Sequence, residues 1–65
     1  MRLTDFWSRL EEHYGKAWAS SYAKDTVMRE LGGKTIEEAL AAGMETKEVW
    51  RAVCEHDPSI PSRLR

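Results

Sequence analysis

The chain has 65 residues with ten basic and eleven acidic side chains, a net charge of -1, three tryptophans and one cysteine. At that length about 60% of the unfolded surface can be buried, which leaves room for one domain with a thin margin of stability. The charge balance excludes a global field toward nucleic acid or anionic lipid, and the lone Cys54 excludes an intrachain disulfide, so packed side chains or a partner must complete the core.

The first helix is expected over residues 4–14, with Thr4 as its N-cap and Leu3, Phe6, Trp7, Leu10 and Tyr14 recurring at three- and four-residue steps. Gly15 ends it by taking the left-handed conformation. A second helix is expected over residues 16–31, with Ala19, Ala23, Val27 and Leu31 in one stripe, until Gly32-Gly33 stops it. Trp18 and Tyr22 fall on its other side, so it reads as a central helix with two apolar faces. The third, over residues 35–42, opens on a capping box, Thr35-Ile36-Glu37-Glu38, and closes at Gly43. The fourth, over residues 46–56, buries Val49, Trp50 and Val53 and stops at Asp57-Pro58. Residues 57–65 form a tail that Ile60 and Leu64 could dock on the core, with fraying the competing outcome.

The expected fold is therefore all-α. It is one domain over residues 1–65, a small bundle of about four helices with a helix-turn-helix-like hairpin in its C-terminal half and no strand. The opening residues lack the apolar core of a signal peptide and no stretch reaches membrane-span length, so a cytoplasmic, reducing home and no membrane partner are expected.

Met1-Arg2-Leu3-Thr4-x-Phe6-Trp7, Leu31-Gly32-Gly33-x-Thr35, Glu38-Ala39-Leu40-Ala41-Ala42-Gly43 and Val49-Trp50-Arg51-Ala52-Val53-Cys54 together give the chain a second line of evidence. It resembles, over nearly its full length, a family of short actinobacterial proteins designated DUF3046, a domain of unknown function. The resemblance implies a small helical fold and a gene neighbourhood of recombination and repair genes. It carries no functional residue over.

Two candidate surfaces compete. Trp18, Tyr22, Asp25 and Arg29 would share one face of the second helix, with Asp25 and Arg29 as an i, i+4 ion pair. Trp, Tyr and Arg are the residues enriched at interface hot spots, so this face is the candidate for a protein partner, against a plain role in helix support. The alternative is a DNA-binding helix-turn-helix built from the third and fourth helices. Thr46 would cap the recognition helix, and Lys47 and Arg51 would reach phosphates or base edges. Residues 35–57 hold two basic and six acidic groups, which weakens that reading in favour of a hairpin that merely packs.

Cys54, His56 and Asp57 are competent ligand types, but residues 54 and 56 diverge on a helix and no second pair completes a tetrahedral site, so no metal or other cofactor is expected. His13 reads as solvated surface. With no nucleophile beside an oriented base, no catalytic residue is assigned and the chain is expected not to be an enzyme. The leading expectation is a protein that acts through protein contacts, and dimerisation would help so small a core.

Overall fold

A computed structural model describes all residues, 1–65, as four α-helices with two short 3-10 turns and no strand. The first helix, α1, spans Leu3–Tyr14. It starts earlier than expected because the Phe6 N–H already donates to the Arg2 carbonyl at 3.0 Å, so Arg2 holds the cap position and Thr4 lies inside the first turn. Phe6 and Leu10 are fully buried, Trp7 and Tyr14 are half-buried, and Leu3 is exposed. Gly15 is the only residue between α1 and α2. Its φ of 91° and ψ of 147° lie outside the expected left-handed helical region, in territory open essentially to glycine alone, and they redirect the chain at once.

The next helix, α2, is shorter than the periodicity predicts: it spans Lys16–Asp25 and does not continue to residue 31. Thr26 and Met28 are extended, and the Met28 N–H donates to the Lys34 carbonyl at 3.0 Å in a single antiparallel bridge. Arg29–Leu31 form a 3-10 turn between them, closed by Gly32 at φ 72°. The β-branched Thr26-Val27 pair favours extended backbone, and the extended step turns Met28 into the core while leaving Val27 59% exposed.

Thr35 and Glu38 form the expected capping box at the start of α3, Ile36–Ala41. The Thr35 hydroxyl oxygen accepts the Glu38 N–H at 3.1 Å, and a Glu38 carboxylate oxygen accepts the Thr35 N–H at 2.9 Å. Such a cap contributes about 1 kcal/mol. A four-residue turn through Gly43 leads to α4, Thr46–His56. Glu45, not Thr46, stands at its N-cap, and the Thr46 hydroxyl donates instead to the Met1 carbonyl at 2.5 Å.

The central element is α4, correcting the expectation for the second helix. It packs against α1, α3 and the Arg29–Leu31 turn, whereas α2 packs on α1 and α3. Composition explains the difference, because α4 buries Val49, Trp50, Ala52, Val53 and Cys54 while α2 buries only Ala19 and Ala23. Phe6 meets Trp7 and Trp50 edge to face, at centroid distances of 5.7 and 5.6 Å.

Of the two outcomes for the tail, docking is observed. Ile60 and Leu64 are buried, and Ser62–Leu64 form a 3-10 turn. The Leu64 carbonyl accepts two hydrogen bonds, from Trp50 Nε1 at 2.8 Å and from Arg9 Nη1 at 3.2 Å.

Candidate functional site

The proposed partner face on α2 is only partly assembled. Trp18 is 63% exposed, and one turn later Tyr22 is half-buried with its ring stacked on Tyr14 at 4.2 Å. Asp25 and Arg29 are exposed and do not pair, because the helix ends at Asp25 and the i, i+4 geometry ends with it. The face reduces to Trp18 with the edge of Tyr22.

Beside it lies a polar cluster that sequence reasoning missed. The Tyr14 hydroxyl donates to Asp57 Oδ2 at 2.5 Å, while Asp57 Oδ1 accepts the Ser59 N–H at 3.0 Å and the Ser59 hydroxyl at 2.6 Å. With the Ser59 hydrogen committed, its oxygen is left to accept from His13 Nε2, 3.3 Å away. His13 therefore faces the tail and is not the solvated residue expected. These groups are spent on fastening the tail to α1.

The cluster couples stability to pH. Burial, with the Asp57 hydrogen bond second, pushes the Tyr14 phenol up, and burial does the same for Tyr22. Hydrogen bonds from Ser59 and Tyr14 pull Asp57 from its ordinary 3.8 down to about 2. A depressed carboxylate stabilises the fold above its unfolded pKa, and that contribution is lost as pH falls from 3.8 through about 2. At the quarter-exposed Asp57 it amounts to at most about 2 kcal/mol, less what solvent screens. Raised phenols act oppositely, holding the fold up to the ordinary tyrosine value near 10 and failing above it. Since these are the chain's two tyrosines, a 295 nm alkaline titration should show no phenolate until the helical circular dichroism is lost. On the acid side, Asp57→Asn should flatten the loss of stability between pH 4 and 2.

Cys54, His56 and Asp57 go to three separate places. Cys54 is buried, and that burial pushes its thiol up. His56 Nδ1 sits 3.0 Å from Glu30 Oε1, and Asp57 faces Tyr14 and Ser59. No three acid, histidine or cysteine side chains gather where they could hold a metal.

The two cations singled out on α4 do come together with others. Lys47 and Arg51 line an open cleft of about 660 Å³ with Met1, Arg9, Trp50, Cys54, Glu55 and Arg65. Four cations and one acid give that lining a charge of +3, in a protein whose total is -1. Ion pairs link His13 to Asp57, His56 to Glu30 and Arg63 to Glu12, and none uses a cation of the cleft.

Residues 1–63 match the family described as Protein of unknown function (DUF3046). The chain belongs to that family. No curated protein and no solved structure matches it significantly.

In this DUF3046 chain the helical pair α3 and α4 is present, joined by a glycine turn, and α3 has only six residues. Arg9 and Arg65 are the site residues that sequence reasoning missed. Arg9 comes from α1, which packs on α4, and Arg65 from the tail, whose docking places it beside Lys47 and Arg51. The one signal in the sequence was the apolar pair Ile60 and Leu64, which predicts that docking.

Proposed function

We propose that this DUF3046 chain is a non-enzymatic helical module that acts by binding a protein partner through the α2 face centred on Trp18. The observation that carries this reading is the exposure of Trp18, 63%, in a chain whose other two tryptophans pack against Phe6. Tryptophan is the residue most often found at interface hot spots, where its large flat surface is covered at little entropic cost. Around it Ala17, Ser20 and Ser21 are exposed and small, so the indole stands clear of its own helix and is open to a partner's pocket. The polar groups that could otherwise support catalysis, His13, Tyr14, Asp57 and Ser59, are engaged with one another in holding the tail.

The test is a photoreactive phenylalanine placed at position 18 in cells, with the exposed Glu37 position as control. A discrete adduct at 18 alone is expected. The partner it identifies, once purified, should bind the intact protein at least about 30-fold more tightly than Trp18→Ser, the loss expected of a hot spot worth about 2 kcal/mol. The melting temperature of Trp18→Ser should stay unchanged, because the indole makes little of the core. Equal labelling at both positions, or equal affinity of the variant, would sink the reading.

A further inference from the structure

The cationic cleft is a second site, independent of the α2 face. We propose that it binds the phosphodiester backbone of duplex nucleic acid, gripping it by charge and not by base identity. Segregation of charge is the first observation: Arg9, Lys47, Arg51 and Arg65 share one cleft with a single acid, Glu55, although the chain carries eleven acids. None of the four is ion-paired with a carboxylate, so beyond what Glu55 offsets the cleft keeps an excess of positive charge that an anion from outside would relieve.

The second observation is preorganisation. Arg9 Nη1 donates to the Leu64 carbonyl at 3.2 Å, and Arg65 donates through Nε to the Ile60 carbonyl at 3.0 Å and through Nη2 to the Pro58 carbonyl at 3.1 Å. These neutral acceptors fix each guanidinium without cancelling its charge, and each keeps unused N–H groups for a phosphate. Less ordering then remains to be done on binding. Lys47 and Arg51 stand one turn apart on the exposed side of α4, roughly 6 Å along its axis, as a pair that can follow a strand.

The third observation selects the ligand. Single strands are held by stacking bases on exposed aromatic rings, and the one aromatic residue in the cleft, Trp50, is 2% exposed with its ring packed on Phe6. A free nucleotide needs a pocket that encloses it, whereas this cleft is open to solvent. A run of phosphates on a rigid duplex fits both features, an open cleft and fixed cations without an exposed ring.

The test is fluorescence anisotropy of the full chain with a labelled mixed-sequence duplex across a salt series from about 50 to 200 mM, joined to amide-shift mapping. Three to four phosphate contacts predict a log-log salt slope of about -3 to -4 and shifts concentrated at Arg9, Lys47–Glu55 and Arg65. Lys47→Gln and Arg51→Gln, both at exposed positions, should each weaken binding several-fold and reduce the slope by about one. Lys24→Gln, the same charge change outside the cleft, should alter neither. Duplexes of different sequence should bind alike, and a single strand of equal length more weakly.

A silent duplex overturns the proposal. Tripolyphosphate shifting the same amides without the duplex would replace the polymer by a small anion, and a single strand binding more tightly than the duplex would refute the ligand class. Because Trp18→Ser leaves the cleft intact, its behaviour here separates failure of this site from failure of the α2 face.

Discussion

Trp50→Ala should leave no folded protein at 25 °C. The indole lies at the meeting point of α1, α4 and the tail, edge to face with Phe6 and 2% exposed. Truncating a buried tryptophan costs about 3 to 5 kcal/mol in lost transfer energy and cavity formation. A chain of this length holds only about 3 to 10 kcal/mol in total. The substitution also removes one of the two donors to the Leu64 carbonyl, which loosens the tail and withdraws further apolar surface from the core. Trp50→Phe separates the two effects. It keeps most of the volume and a ring against Phe6 but not the Nε1–H, so it should fold with a loss of about 1 to 2 kcal/mol. Urea titrations followed by circular dichroism at 222 nm check both, and a cooperative transition of ordinary midpoint in Trp50→Ala would refute the assignment.

Ending the chain at Asp57 should be as damaging, although only an apparent tail is removed. Ile60 and Leu64 belong to the same buried cluster as Phe6 and Val53, and losing the bulk of either costs about 2 to 5 kcal/mol. The shortened chain also removes the acceptor of Trp50 Nε1 and uncovers that edge of the indole. It deletes Ser59, whose hydrogen bonds hold Asp57 beneath Tyr14. Collapse of the amide spectrum and rapid proteolysis are expected, with Ile60→Ala and Leu64→Ala as graded intermediates that still fold. A shortened chain as stable as the whole would show that the tail rests on the domain without supporting it.

Structure set by neighbouring residues is legible in this sequence, and structure set by distant ones is not. The Thr35–Glu38 box was legible because every atom it needs lies within four residues. The all-α class follows from periodicity, and the C-terminal end of α4 from Asp57-Pro58. Periodicity extends the second helix too far because Ala19, Ala23, Val27 and Leu31 keep a helical interval past the point where the helix stops. What ends it there is the return of Lys34 to bond Met28, a pairing that no window on the helix itself contains. Counting charge by stretch hid the cleft for the same reason. Lys47 and Arg51 sit among acids in sequence but among arginines in space, since of the nearby acids only Glu55 reaches the cleft, while α1 contributes Arg9 and docking of the tail delivers Arg65. The setting of His13 is not legible from its own helix, because the surface it faces is occupied by the tail.

Met1 and Arg65 line one cleft, and Thr46 ties the Met1 carbonyl to the start of α4. Any polypeptide joined ahead of Met1 or beyond Arg65, an affinity handle or a fluorescent fusion included, therefore leaves the domain at the rim of that cleft. An acidic handle at either end would act as a tethered competitor at high effective concentration and would mask binding there. Label chemistry belongs instead at an exposed position away from the cleft, such as Glu37, and not at Gly33, whose φ of 84° would strain any side chain; the ends are best left bare.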